Sequence, residues 1–227
     1  MADQILNHLC DYALKLSYRD LPEEVTRRTK YIVMDTVGCA LGGAESPPAK
    51  IARAAAAQIT SVTPSTVLVS GQKTSPDLAA FANGVMIRYL DFNDTYAGSP
   101  TCHPSDLLAP ALAVVDAING NGQDVILGTV LGYEVFCGLI DAGAKERGRI
   151  WDQSTYGGIA AAVVAAKLFG HSKEQMANAI SLAAASHISI EQIRRGQISH
   201  WKGCALANAS RNAVFCAIAR VAIWCAV

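Results

Sequence analysis

The chain has 227 residues, with 19 basic and 19 acidic side chains, 51% hydrophobic residues and 17% charged ones. That length allows one substantial core or two small ones, and so apolar a composition excludes an intrinsically disordered chain. Zero formal net charge argues against a nucleic-acid-binding surface, which shows as a basic excess.

Helical periodicity dominates. Asp3 is placed to cap a helix whose apolar positions are Ile5, Leu6, Leu9, Tyr12, Ala13 and Leu16. Pro22 opens a second helix, with Glu23 and Glu24 at the positive end of its dipole and Gly42-Gly43 at its stop. Pro47-Pro48 start a third, alanine-rich helix through about Ile59. The β-branched run 65–70, followed by Gly71, predicts an isolated short strand or an extended connector. Ser75-Pro76-Asp77 starts a helix whose stripe runs up to Asp91. Gly98, Pro100 and Pro104 then keep 91–106 irregular.

Helices resume over residues 105–119 and 123–141, before a charged, glycine-bearing break at 142–154. An alanine-rich helix ends at Gly170, the capping box Ser172/Gln175 opens another through Ser186, and the last covers residues 201–224. The alanine clusters at 52–57, 160–166 and 183–185 let helix axes approach closely. They are expected in the middle of a multi-helix bundle or at a subunit interface. No linker or repeat divides the chain, so an all-α or mostly-α domain over 1–227 is the expectation.

No uninterrupted apolar run approaches the roughly 18 residues of a membrane span, and the N-terminus lacks a basic n-region and cleavage site. A cytoplasmic protein with no membrane partner is expected. The seven cysteines are scattered and form no C-x-x-C pair, so zinc, iron–sulfur and disulfide frameworks are not signalled. Glycine-rich phosphate loops are absent as well, and no cofactor is expected.

Two polar constellations stand out against this apolar background. The first is Asp91-Phe-Asn93-Asp94-Thr95-Tyr96 with His103-Pro104-Ser105-Asp106, in a loop between two apolar helices. A histidine flanked by carboxylates can be oriented by one of them and exchange a proton near neutral pH. The plainer alternative is that Asp94, Thr95 and Ser105 cap helix ends. The second is Ser199-His200-Trp201-Lys202-Gly203, leading into Ala207-Asn208-Ala209-Ser210-Arg211-Asn212. Lys202 at a helix start opposes the dipole, so it is either solvated or placed for an anion. Glu134, inside an apolar run, reads as a buried structural acid; the pair Arg194-Arg195 could bind a polyanion, though an adjacent pair is usually a solvated face.

These residues, with Tyr89-Leu-Asp-Phe-Asn-Asp-Thr-Tyr96, Gly132-Tyr-Glu-Val135 and Trp201-Lys-Gly-Cys204, resemble the MmgE/PrpD family, best known for 2-methylcitrate dehydratases. Four motifs in the same order carry the resemblance, from the first helix to about Arg220. It implies a helical main domain, a smaller α+β lid, a homodimer and a metal-free lyase site for a di- or tricarboxylate. Residue by residue, it implies His103 in proton transfer, Asp91 orienting it or sharing the proton, and Lys202 binding a substrate carboxylate. Thr95, Asp94 and Asp106 are implied as substrate-binding positions.

The N-D-T…H-P-S-D form looks more like the methylcitrate dehydratases than the cis-aconitate decarboxylases, although decarboxylation or epimerisation of a related acid would use similar residues. Two departures follow. Gln153 falls where family members often carry a histidine, and Gln cannot trade protons. The chain also closes on Val221-Ala-Ile-Trp-Cys-Ala-Val227, unlike the family's continuation, so the lid is expected to be missing. A lidless chain would expose a hydrophobic end and be either a truncated enzyme or an inactive helical module. Everything functional requires the His103 ring and the Lys202 amine to meet across one hollow.

Overall fold

The computed structural model describes residues 3–143 and 151–219; most of the expected charged break and the apolar tail Val221–Val227 lie outside these. Asp3 caps α1 (Gln4–Lys15) by accepting from Leu6 N at 3.0 Å. Pro22 precedes α2 (Glu23–Gly43), and Ser46 caps α3 (Pro47–Ala56), which stops earlier than its alanine run suggested.

The predicted strand at 65–70 shrinks to β1 (Ser65–Thr66), paired antiparallel with β2 (Lys73–Thr74). Val67 N donates to Gln72 O at 2.8 Å and Val69 turns with φ 68°, so the chain doubles back before a longer strand can form. The hairpin is tied to the helical body where Asp116 accepts from Thr66 N at 2.6 Å and pairs with Lys73 at 3.0 Å.

Helices α4 (Pro76–Arg88), α5 (Leu108–Ala117), α6 (Gly122–Gly143), α7 (Gln153–Leu168), α8 (Lys173–Ser186) and α9 (Trp201–Ala219) complete the order. Short 3-10 turns at Pro104–Leu107 and Glu191–Arg194 precede α5 and α9. The capping box at Ser172 forms as expected, Ser172 Oγ accepting from Gln175 N at 3.2 Å. The structure is mostly α-helical, with one two-stranded hairpin among the described residues.

The core gathers around α7, where residues 160–166 are all completely buried. Phe136, Leu131, Ile140, Val163, Val164, Met176 and Val214 pack there, and burying a side chain such as Phe136 contributes about 2–3 kcal/mol. A second cluster joins α3 and α4 through Ala49, Ala52, Met86 and Ile87. Small residues set the approach of α4 to α9: a Cβ added at Gly84 would lie 2.9 Å from Ala207 Cβ. The alanines of 52–57 behave differently, because α3 is peripheral and Ala54, Ala55 and Ala57 are exposed.

Three expectations are corrected. Glu134 is exposed, not a buried acid, since the inward face of its helix turn is carried by Gly132, Val135 and Phe136. Helix α6 is long and apolar enough by composition to cross a membrane, with half of its most apolar window buried in the fold as in a core helix. Arg194 is no solvated face, because it is partly buried against the Asp152 carboxylate.

Candidate functional site

Helix α4 carries Arg88 at its last turn, three positions beyond Val85 and on its buried face. The chain then turns sharply. Asp91 adopts a left-handed φ of 53°, its N–H donating to Arg88 O at 3.1 Å. That conformation costs a non-glycine residue about 1 kcal/mol, and it folds the carboxylate back onto the helix end. There Asp91 Oδ1 meets Arg88 Nη1 at 2.5 Å while Oδ2 meets Lys202 Nζ at 3.4 Å. Burial resists ionisation of Asp91, but the hydrogen bond and charge of Arg88, with Lys202, outweigh it and hold the carboxyl below its ordinary value.

Beyond Asp91 the loop is pinched by a two-way bridge: Tyr96 N donates to Cys102 O at 2.8 Å, and Cys102 N to Tyr96 O at 3.1 Å. This places His103 at the start of the 3-10 turn. His103 Nδ1 lies 2.8 Å from Asp94 O. A carbonyl can only accept, so Nδ1 carries the proton and Nε2 of the neutral ring keeps its lone pair. That Nε2 is 4.0 Å from Asp91 Oδ1. Burial, then the positive charge of Arg88, push His103 below the ordinary histidine value and favour the neutral ring.

Helix α9 delivers Lys202 from its first turn, and the segment before it delivers Arg194. Asp152, the cap of α7, accepts from Ser154 N at 2.9 Å and from Arg194 Nη2 at 3.2 Å, with Arg194 Nε also on its carboxylate. The Gln153 amide, oriented to satisfy both ends, donates to Thr101 O at 3.1 Å and accepts from Arg194 Nη2 at 3.0 Å. Gln153 therefore serves as a cross-link between loop and arginine.

Arg88, Asp91, His103, Gln153, Arg194 and Lys202 all line one hollow of about 260 Å³. The imidazole and the ammonium expected to meet do share it. A smaller hollow of about 170 Å³ adjoins it across Arg88, Asp91 and Lys202. A larger one of about 900 Å³ beside α2 and α6 is mostly apolar and brings together no acid–base set. Chemistry, not size, therefore locates the site. Among the described residues no three His, Cys, Asp or Glu side chains converge as metal ligands.

Three of the six sequence-derived site residues do not line this hollow. Thr95 is exposed outside it. The Asp94 carboxylate is taken up by Ser105 N at 3.0 Å and Tyr133 Oη at 2.6 Å, so it supports the loop from behind. Asp106 is buried, its Oδ1 accepting from Asn93 Nδ2 at 2.8 Å and its Oδ2 3.6 Å from Arg88 Nε. Oδ2 has no hydrogen-bond partner, and burial pushes the Asp106 carboxyl up to about 7. Sequence reasoning missed Arg88 and Arg194. For Arg88 a signal existed, since a charge on the apolar stripe of α4 must find a partner. For Arg194 the signal was the adjacent arginine pair, set aside as a solvated face because its partner Asp152 is remote in sequence.

A family model described as the MmgE/PrpD N-terminal domain matches residues 7–220. The chain is 31% identical over 171 residues to a 2-methylcitrate dehydratase of Escherichia coli O157:H7, covering 67% of this chain and 34% of that protein. It is 28% identical over 198 residues to the 2-methylcitrate dehydratase of Salmonella typhimurium, covering 80% and 39%. It is 27% identical over 188 residues to a cis-aconitate decarboxylase of Aspergillus terreus, covering 79% and 38%. The chain thus spans under two-fifths of the length of these relatives.

Proposed function

The chain belongs to the MmgE/PrpD family, and on that premise we propose that its charged hollow binds a hydroxylated tricarboxylate of the 2-methylcitrate type and removes water from it. The observation that carries this reading is the His103 ring, tied through Nδ1 so that Nε2 faces Asp91 in a hollow shared with Lys202.

The chemistry asks for three things. A base takes the proton from the carbon next to a carboxylate, a double bond forms, and the C–O bond breaks with the hydroxyl leaving as water after protonation. Charge that builds on the substrate carboxylate as the proton leaves requires a fixed cation. His103 Nε2 supplies the base and, once protonated, a donor for the leaving hydroxyl. Asp91, held by Arg88 at 4.0 Å from Nε2, offers its negative charge to the imidazolium formed when the proton is taken, without pairing with the ring beforehand. Lys202 holds a carboxylate, with Arg194 lining the same hollow as a second cation.

A second reading, decarboxylation of a cis-aconitate-like acid, has the Aspergillus relative in its favour. Product NMR on 2-methylcitrate and on cis-aconitate separates the two, through loss of water in one case and release of CO2 in the other. His103→Gln and Lys202→Gln are each expected to lower turnover about 100-fold or more. Failure of the 227-residue chain to bind either acid, read by perturbation of the His103 ring signals, would sink the proposal. The family resemblance also carries the expectation of a homodimer, which sedimentation checks.

A further inference from the structure

Arg88 joins the two layers of the site. Its side chain is 7% exposed, and it reaches Asp91 Oδ1 at 2.5 Å, Asn93 Oδ1 at 3.3 Å and Asp106 Oδ2 at 3.6 Å. We propose that Arg88 is the positioning residue of this hollow: it fixes Asp91 between Lys202 and His103 and keeps the His103 ring uncharged, so that Nε2 remains free to accept a proton. The inference rests on the reading of His103 as the base.

Competition for one oxygen is the physical core of the argument. Asp91 Oδ1 lies 2.5 Å from Arg88 and 4.0 Å from His103 Nε2, so the guanidinium holds the carboxylate that would otherwise pair with a protonated imidazole. Remove Arg88 and Asp91 is released to bind an imidazolium, which cannot act as a base. The left-handed backbone at Asp91 makes this grip possible, since it turns the carboxylate back over the end of α4. An arginine suits the place because Nη1 reaches both Asp91 and Asn93 while the same planar cation lies beside the Asp106 carboxyl as an ion pair. A lysine keeps the charge but reaches fewer of them.

Other charges act on His103 or line the same hollow. Asp94 lies in its own loop, Asp152 at the start of α7, Glu191 and Arg194 in the 3-10 turn before α9, and Lys202 on α9. None of these is altered by changing Arg88, so a difference between variants isolates it.

The test follows the His103 imidazole by NMR as a function of pH in the 227-residue chain, with His103→Gln assigning the signal. Arg88→Gln is expected to raise the His103 midpoint by about 0.5 pH unit or more, and Arg88→Lys to return it toward wild type. Arg88→Gln leaves Asp106 buried without its cation, which threatens folding. The double variant Arg88→Gln/Asp106→Asn removes both charges and should show the same upward shift. A folded double variant whose His103 midpoint stays within about 0.2 unit of wild type overturns the proposal. The titration needs no substrate, so failure to bind 2-methylcitrate would defeat the functional reading alone.

Discussion

Helices α4, α7 and α9 meet twice, and the two meetings obey different rules. Midway along, they touch through small residues, Gly84 against Ala207 and Gly158 against Ala209. At their ends, α4 brings Arg88, α7 brings Asp152 and Gln153, and α9 brings Lys202 to the rim of one hollow. The seam is close-packed: an added Cβ would lie 2.9 Å from Ala207 Cβ at Gly84 and 3.3 Å from Ala209 Cβ at Gly158. The rim has room to spare, but its charges are held by specific partners. Fold stability should therefore be most sensitive to added volume in the seam and chemistry most sensitive to lost charge at the rim.

The largest expected effect is Gly84→Leu. Its Cβ would sit 2.9 Å from Ala207 Cβ and 3.1 Å from Ala207 Cα, so α4 and α9 must part to admit the rest of the side chain. A loss upwards of about 4 kcal/mol in urea unfolding is expected. A loss under about 1 kcal/mol would mean the seam is not tight.

Asp106→Asn probes the boundary between seam and rim. With the folded carboxyl at about 7 against an ordinary 3.8, the fold prefers the protonated form. That contribution is fully present below about pH 4 and is lost as pH rises through about 7. Stability of wild type relative to the variant should fall by about 4 kcal/mol between pH 4 and pH 8, read from thermal midpoints. A difference flat with pH would show that Asp106 stays ionised beside Arg88.

Tyr133→Phe removes the donor that faces Asp94 Oδ2 at 2.6 Å. Stability should drop by about 1 kcal/mol, with activity falling further because Asp94 also fixes the His103 ring. Thr95→Ala gives the smallest change, within about 0.5 kcal/mol, since the residue is exposed and outside the hollow. An activity loss beyond about tenfold in that variant would bring Thr95 back as a substrate contact.

Helix starts were legible because their signals are local. Asp3, Ser46 and Ser172 accept from amides three residues on, so each cap can be read within a single turn of sequence. The central place of α7 was legible too, because alanine at successive positions leaves no polar face to give to solvent. The two-residue hairpin was not, since its pairing depends on a turn at Val69 that a β-branched residue disfavours.

Within the site, His103, Asp91 and Lys202 could be picked from sequence as polar groups that the apolar pattern leaves unexplained, and the family resemblance gave them roles. Their meeting depends on packing. Nothing in the order of residues says that the first turn of α9 lies over the end of α4, or that Asp94 and Asp106 point away from the hollow while Arg194 points in. Periodicity and capping are settled between neighbours along the chain, whereas a charged cluster is settled by which helix ends the packed core brings within a few ångströms of each other.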